Sequence, residues 1–283
     1  MKTSIFNLQN NTDIFACTIC GCTGAVKNSS FICRNGHCFD ISAKGYINFA
    51  PHQKATKYSK NIFESRRAVF SDGFYNTVLL HLAKFVEENL APGRITNILD
   101  AGCGEGYYSA YLKACETLQD KTNIIAMDIE KAAILLACRG QCDYSPIVGD
   151  INKIPLADNT ADILLNILTP ANYSEFSRVL RPGGIIIKII PGENYLAEIR
   201  TAIAGKIKAE AYSTDRVLNH FKQNMKLLSL DKITCTLPVT NSQALDFFNM
   251  TPMTMDISAD EVDLSRVNTI TIDLAFVVGQ ARS

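Results

Sequence analysis

Three glycines at alternate positions, Gly102, Gly104 and Gly106, follow a short apolar run that ends at Asp100. The pattern predicts a strand, a tight turn and a helix start, which is how doubly wound α/β folds hold a nucleotide cofactor. Glycine is needed in such a turn because a Cβ would block the approach of a ligand to the backbone. The first turn of the helix then offers free N–H groups and the positive end of its dipole to an anion.

The spacing of these glycines distinguishes between two kinds of cofactor. A dinucleotide fingerprint reads Gly-x-Gly-x-x-Gly, whereas this loop reads Gly-x-Gly-x-Gly and has an acid two residues before its first glycine. In this respect it resembles motif I of S-adenosylmethionine-dependent methyltransferases, whose cofactor carries a carboxylate and no pyrophosphate. The alternative is a turn that merely tolerates glycine.

Two further acids stand at the ends of apolar runs. Asp128 ends the run 123–127, 22 residues after Gly106, and an acid at that place can accept hydrogen bonds from both ribose hydroxyls. Asp150 ends the run 147–149, where this fold usually holds the adenine amino group. Because both acids follow at the expected spacing, they favour a cofactor site over a simple turn.

A second group of residues has the spacing of metal ligands. It consists of a Cys-x-x-Cys pair and a Cys-x-x-x-His pair, namely Cys17, Cys20, Cys33 and His37. Each pair spans a tight knuckle, so the four side chains can converge on one tetrahedral Zn²⁺, and a site with four protein ligands has no open position for chemistry. Cys22 and Cys38 lie close enough in sequence to replace a neighbour, and a cluster of cysteines without metal is the alternative.

The composition is consistent with reduced thiols and with a basic N-terminal part. No segment approaches the roughly 18 consecutive apolar residues of a membrane helix, and residues 1–13 lack an apolar signal region. Ten cysteines in such a chain favour metal over disulfides, so we expect a cytoplasmic location.

Residues 1–67 have nine Lys and Arg against three acids, which predicts contact with a polyanion unless this is an ordinary solvated surface. Lys54, Lys57 and Lys60 belong to a linker or an RNA-facing loop.

The central part of the chain alternates between strand and helix patterns, which predicts a parallel sheet covered by helices on both faces. Strands are expected near 95–100, 123–128, 145–149, 161–167 and 184–190, and helices near 107–118, 130–139 and 172–180. Ligands of such sheets bind beyond the carboxyl ends of the strands. Gly102, Asp128, Asp150 and the segment 166–170 should therefore surround one crevice.

The two motifs occur in an order that resembles the large-subunit rRNA guanine-N1 methyltransferases. Members of that family read Cys-x-x-Cys, then Ile-Cys-x-x-x-His-x-Phe-Asp, then Gly-Tyr-x-Asn, and this chain matches at 17–20, 32–40 and 45–48. The resemblance continues through 65–70 and 72–75 and the whole glycine loop, and it weakens after about Gly192.

The resemblance implies an α/β, Rossmann-like class I methyltransferase with a mostly parallel seven-stranded sheet. It implies a zinc-binding RNA-recognition module at residues 1–52 and a methyltransferase domain at residues 53–283. The implied reaction moves a methyl group from S-adenosylmethionine to N1 of one guanine in a 23S rRNA hairpin. The implied Zn²⁺ is structural, and a homodimer is one open option for the oligomeric state. The cofactor-binding residues would be Tyr75, Asp100, Gly102, Gly104, Glu105, Gly106, Asp128, Asp150 and Tyr195.

The segment expected to hold the acceptor base departs from the family pattern. The family commonly has Tyr-Ala-Pro where this chain has Leu168, Thr169 and Pro170, and Tyr195 takes the place of a histidine. Asn166 and Thr169 are candidates for contacts with a guanine edge, and the alternative is that they only form the structural end of a strand. No proton acceptor can be named. Two other functions stay open, a small-molecule methyltransferase with a structural zinc module and a non-catalytic RNA-binding protein that binds the cofactor.

Overall fold

The computed structural model describes residues 3–27, 29–51, 60–139, 142–206 and 213–282. Its strands are β1 Gly24–Lys27, β2 Ser30–Cys33, β3 Cys38–Asp40, β4 Ile47–Asn48, β5 Thr96–Ala101, β6 Thr122–Asp128, β7 Ser145–Val148, β8 Ala161–Ile167, β9 Leu180–Pro191, β10 Met225–Pro238 and β11 Thr269–Ala281. Its α-helices are α1 Thr3–Asn10, α2 Lys60–Ser71, α3 Asn76–Glu88, α4 Tyr107–Ala114, α5 Lys131–Ala137, α6 Tyr173–Val179, α7 Ala197–Ala202, α8 Thr214–Asn224 and α9 Asn241–Met250.

A large sheet of eight strands forms the centre of the molecule, in the order β10-β11-β9-β8-β5-β6-β7-β4. Neighbours from β4 to β9 run parallel, and β11 is antiparallel to both β9 and β10. The mostly parallel sheet is therefore confirmed, with one strand more than the sequence predicts. The additional strand is β4, which pairs with Ile147 and Val148 at the edge of the sheet.

The central strands are apolar throughout because helices cover both faces of the sheet. Side chains alternate across the strand, so in β5 Ile98 joins the core on one face and Leu99 joins the core on the other. Helices α3, α4 and α7 pack on the first face, while α6, α8 and the N-terminal residues pack on the second. This arrangement leaves the carboxyl ends of the parallel strands free to form a site.

The N-terminal module is attached to the second face by aromatic packing. Phe15, Phe31 and Phe39 surround Phe49, with ring centroids 5.6, 5.5 and 5.0 Å from that of Phe49. Phe15 also forms an isolated bridge with Leu156 of the sheet domain. These contacts and β4 make the module continuous with the core of the larger domain.

Most predicted elements are confirmed, and the differences have local causes. Helix α4 ends at Ala114 and not near 118, because Cys115 is extended and its N–H caps the Leu112 carbonyl. Strand β9 begins at Leu180, earlier than predicted, because Ala161 pairs with Leu180 ahead of a register shift. Most of the predicted linker, including Lys54 and Lys57, lies outside the described residues, whereas Lys60 begins helix α2 and is not part of a loop. Across the part of the chain that the structure describes, every helix is too short or too polar to cross a membrane.

Candidate functional site

A cavity of about 730 Å³ lies at the carboxyl ends of the parallel strands, a size typical of small-molecule sites. Seven of the residues predicted to contact the cofactor or the acceptor base line it, namely Tyr75, Gly102, Gly104, Asp128, Asp150, Thr169 and Tyr195. Further lining residues come from α2, from the end of α9 and from the segment after α9, including Phe63, Arg66, Met250 and Met253. The crevice expected from the sequence therefore exists, and it has a wall that the sequence analysis did not anticipate.

The glycine loop connects β5 to α4 and contains three left-handed residues. The φ angles of Gly102, Gly104 and Gly106 are +86°, +57° and +79°. A Cβ on Gly102 would lie 2.5 Å from Thr169 Oγ1, and a Cβ on Gly106 would overlap Tyr144. Among the described residues, a Cβ on Gly104 would meet only Arg66 Nη1, at 3.5 Å, on the cavity side. Gly104 thus leaves room for a ligand, whereas Gly102 and Gly106 leave room for the side chains of Thr169 and Tyr144.

Asp128 is held in a fixed orientation at the end of β6. Its Oδ2 accepts a hydrogen bond from the Gly104 N–H and its Oδ1 accepts one from the Glu130 N–H, both at 2.8 Å. Burial raises the pKa of Asp128, and these two backbone donors lower it. Each carboxylate oxygen keeps lone-pair capacity for a further donor, so the group can accept from a diol in the cavity.

Asp150 lies two residues beyond β7 and also lines the cavity. Its Oδ1 accepts hydrogen bonds from the backbone N–H of Asn152 at 2.8 Å and from Asn152 Nδ2 at 3.0 Å. The loop after β7 is therefore stabilised by an Asx turn, and this turn fixes the carboxylate at the rim.

Three other predicted cofactor residues lie behind the cavity wall. Asp100 is buried and accepts a hydrogen bond from Ser109 Oγ at 2.7 Å, and burial raises its pKa to about 7. Glu105 forms an ion pair with Arg66 at 3.9 Å, and burial raises the pKa of Glu105. Gly106 is the N-cap of α4. These three residues contact the protein and shape the loop from behind.

Two tyrosines that are far apart in sequence meet in the cavity. The hydroxyls of Tyr75 and Tyr195 are 2.6 Å apart, and both side chains line the site. Burial raises the pKa of both Tyr75 and Tyr195 above the ordinary value of a tyrosine, so both hydroxyls stay protonated. The substitution of tyrosine for histidine at position 195 thus retains a polar group at this wall.

Asn166 is fully buried, and its side chain points away from the cavity and into the protein beneath the loop 166–170. Its Nδ2 donates to the Pro170 carbonyl at 2.8 Å, and its Oδ1 accepts a hydrogen bond from Lys188 Nζ. Thr169, by contrast, lines the cavity. Of the two candidates for contact with an acceptor base, the structure therefore exposes Thr169 and encloses Asn166.

The sequence analysis missed Lys188, a lysine inside the apolar run of β9. The side chain is 3% exposed, and burial lowers its pKa to about 8. A charged residue inside a run of isoleucines was a visible signal, since lysine is almost never fully buried without partners. Arg66 was also missed as a cavity residue, because its place depends on the packing of α2 over the glycine loop.

The predicted metal ligands come together in the N-terminal module. The ligand atoms of Cys17, Cys20, Cys33 and His37 all lie within 4.8 Å of one another. Cys17 Sγ and Cys33 Sγ are 3.5 and 3.4 Å from His37 Nδ1, and Cys20 Sγ is 3.7 Å from Cys33 Sγ. Zn–S bonds of about 2.3 Å in a tetrahedron put two sulfurs roughly 3.8 Å apart, so the observed spacing fits zinc.

The two other cysteines nearby have different surroundings. Cys22 Sγ accepts a hydrogen bond from Asn35 Nδ2 at 3.4 Å, and Cys38 is exposed on β3. Neither belongs to the cluster found among the described residues. A backbone hydrogen bond from Cys22 lowers the pKa of Cys20 to about 7, which favours the thiolate that a metal requires.

Comparison with known proteins agrees with both sites. Residues 15–60 match the family model of the RlmA N-terminal zinc ribbon, and residues 99–188 match a methyltransferase domain. The chain therefore combines an RlmA-type zinc ribbon with a methyltransferase domain. It is an S-adenosylmethionine-dependent enzyme with a structural zinc site, and the open space at Gly104 and the fixed carboxylate of Asp128 fit that cofactor.

Relatives of this methyltransferase match over nearly their whole length. YxjB of Bacillus subtilis, assigned as a 23S rRNA (guanine-N1)-methyltransferase, is 28% identical over 94% of this chain and 96% of its own. The 23S rRNA (guanine(748)-N1)-methyltransferase of Streptomyces fradiae is 24% identical over 95% of this chain and 98% of its own. Among solved structures, the YcgJ protein of Bacillus subtilis gives a TM-score of 0.49 at 15% identity, covering 72% of this chain and 99% of its own.

Proposed function

We propose that this methyltransferase transfers the methyl group of S-adenosylmethionine to N1 of a specific guanine in 23S rRNA. The observation that carries the proposal is the presence, on one chain, of an RlmA-type zinc ribbon and a class I cavity. The two relatives from Bacillus subtilis and Streptomyces fradiae match this chain over nearly its full length, and their names assign them as 23S rRNA guanine-N1-methyltransferases. We further propose that the enzyme acts in the cytoplasm.

The order of the strands supports one orientation of the cofactor in the cavity. Asp150 and Gly104 follow β7 and β5, and Asp128 is the last residue of β6, which lies between those two strands in the sheet. Thr169 follows β8 on the other side of β5. We place the adenine near Asp150, the ribose hydroxyls on Asp128 and the methionyl part past Gly104. Thr169 and Pro170 would then border the space in which we place the target guanine.

The chain's own residues would act mainly by alignment. When bound, S-adenosylmethionine supplies an electrophilic methyl group on a positively charged sulfur. Holding guanine N1 in line with that methyl group turns a bimolecular step into an effectively unimolecular one. The Tyr75–Tyr195 hydroxyl pair and the loop after β8 border the space in which the two reactants would meet. Asp100, Glu105 and Gly106 would support the glycine loop from behind.

Residues 1–52 would recognise the RNA, and residues 53–283 would carry the reaction. The nine Lys and Arg against three acids in residues 1–67 are suited to phosphate contacts. A guanine edge is accessible only when the base is unstacked, which favours a hairpin loop as the target. A homodimer would also be compatible with this assignment, and sedimentation of the purified enzyme would decide its oligomeric state.

The proposal is tested by methyl transfer to ribosomal RNA. Purified enzyme is incubated with tritiated S-adenosylmethionine and 23S rRNA from cells that lack the modification, and the labelled position is mapped by reverse transcription. Because a methyl group on N1 blocks the Watson–Crick edge, we expect one strong stop at a single guanine. Labelling of small molecules but of no RNA, or a stop at another kind of base, would contradict the proposal.

Asp128→Ala is expected to weaken binding of S-adenosylmethionine by on the order of tenfold to a hundredfold or more. Hydrogen bonds to a charged acceptor are worth about 1.5–3 kcal/mol each, and the variant would lose those to the ribose. Calorimetric titration measures the affinity, and thermal unfolding checks that the chain folds. Asp120→Ala, at an exposed turn residue, is the matched control and should bind normally. Normal binding of S-adenosylmethionine by Asp128→Ala would show that Asp128 does not bind the ribose.

A further inference from the structure

Lys188 is a buried cation that the proposed reaction does not yet use. It lies in β9 between Ile187 and Ile189, and its register partner in β8 is Asn166. Its Nζ donates to Asn166 Oδ1 and, at 3.1 Å, to the Thr169 carbonyl. Burying an ammonium group is costly unless hydrogen bonds compensate it, so these two contacts require an explanation beyond ordinary core packing.

Asn166 extends this contact to both loops that border the cavity. Its Nδ2 donates to the Pro170 carbonyl at 2.8 Å and to the Ala101 carbonyl at 3.4 Å. Ala101 is the last residue of β5, directly before Gly102 of the glycine loop, while Thr169 and Pro170 line the cavity on the proposed acceptor side. Lys188 and Asn166 together therefore hold carbonyls from the cofactor side and from the acceptor side.

The conformation of the acceptor segment shows why it needs such support. Leu168 has φ +52°, a left-handed conformation that is unfavourable for a residue with a Cβ, and its side chain is 37% exposed. Its N–H donates to the Ile189 carbonyl at 2.9 Å, next to Lys188 in β9. The side chain of Thr169 also fills the space that a Cβ on Gly102 would need. The two loops are thus fitted against each other at the point where the reactants would meet.

We propose that Lys188 and Asn166 form a positioning pair that fixes the segment 168–170 against the end of β5 and thereby aligns the acceptor base with the methyl group. The proposal rests on the proposed function, because the acceptor is taken to be a guanine of RNA. Neither side chain lines the cavity, so the pair acts through the carbonyls of Thr169, Pro170 and Ala101. Alignment errors of about 1 Å can lower a rate on the order of a hundredfold.

Lys188→Met tests the pair, because methionine retains the apolar stem and removes the ammonium donors. In single-turnover reactions with saturating S-adenosylmethionine and RNA, we expect the rate constant to fall by on the order of tenfold to a hundredfold. The dissociation constants for S-adenosylhomocysteine and for RNA should stay within about threefold of wild type, since no binding group is removed. Lys226→Met, at an exposed lysine of β10, is the control and should react at the wild-type rate.

A purely structural lysine would give a different result. Lys188→Met would then unfold at a lower temperature but transfer the methyl group at the wild-type rate below that temperature, which would overturn the proposal. If Lys188→Met does not fold, Asn166→Ser takes its place and should show the same loss of rate with cofactor binding retained. Where both fold, the double variant should lose little more than either single variant, because the two residues act as a unit.

Amide hydrogen exchange gives a readout that does not need an RNA substrate. The Leu168 N–H should exchange at least about tenfold faster in Lys188→Met than in wild type or Lys226→Met, because its loop is no longer held. Unchanged exchange would overturn the positioning role. If wild-type enzyme methylates no RNA but the exchange changes as expected, the proposed substrate is wrong and the positioning pair stands.

Discussion

Gly104→Val is expected to lower the affinity for S-adenosylmethionine by on the order of a hundredfold or more, to below routine detection. A Cβ at this position would project to the cavity side, where Arg66 Nη1 at 3.5 Å is its only neighbour within 4 Å in the part of the chain that the structure describes. The two methyl groups of valine would therefore occupy space that the cofactor needs, without striking the protein backbone. Calorimetric titration with S-adenosylmethionine, and with NAD for comparison, measures the effect.

Backbone strain must be separated from this steric effect. Gly104 has φ +57°, a left-handed conformation that costs a residue with a Cβ about 1–2 kcal/mol of conformational free energy. Gly93 has φ +69°, and no atom of the described residues lies within 4 Å of a Cβ placed on it. Gly93→Val therefore introduces similar strain at a turn distant from the cavity. We expect the two variants to lose similar thermal stability and only Gly104→Val to lose cofactor binding. Binding of the cofactor by Gly104→Val at wild-type affinity would contradict the assignment of the cavity.

The same loop shows how far the sequence could predict the site. The sequence alone does not distinguish the three glycines of the motif from one another. Their spacing correctly predicted the strand, the turn and the helix. Their separate roles depend on residues far away in the chain, because Thr169 packs on Gly102 and Tyr144 packs on Gly106. A valine at either of those positions would disturb the protein itself, so neither variant would test cofactor binding.

Local patterns predicted the elements well because each strand of the parallel sheet is buried on both faces and reads as an apolar run. The acids at the end of β6 and just after β7 were found for a related reason, since a charged residue that ends such a run has to reach the edge of the sheet. The pairing of Tyr75 with Tyr195 and of Asn166 with Lys188 could not be derived. Each pair joins segments more than twenty residues apart, and only the register of the sheet or helix packing brings them together.

The zinc module and the cofactor cavity are connected through the edge of the large sheet. Residues 47–48 of the module form β4, which pairs with β7, and Asp150 follows β7 at the cavity rim. Phe49 continues from β4 into the aromatic cluster with Phe15 and Phe31. Loss of the metal should therefore disturb the module and also weaken one edge of the sheet.

Cys33→Ser is expected to remove the zinc and to unfold residues 15–40. Cys33 is buried, and its Sγ lies 3.7 Å from Cys20 Sγ and 3.4 Å from His37 Nδ1. Structural zinc contributes about 10–16 kcal/mol in isolated zinc-finger peptides, so the free energy of unfolding of this chain should fall by several kcal/mol. Elemental analysis should find about one zinc per wild-type chain and none in the variant.

Cys38→Ser is the matched control for the zinc site, because Cys38 is exposed and lies outside the cluster of ligand atoms. This variant should keep its zinc and its amide protection in residues 15–40. In Cys33→Ser those amides should exchange freely, and RNA affinity should fall further than cofactor affinity, since the cavity residues come from the larger domain. A metal-free chain whose N-terminal module remains protected would show that aromatic packing alone holds the module, and the structural role of zinc would then be wrong.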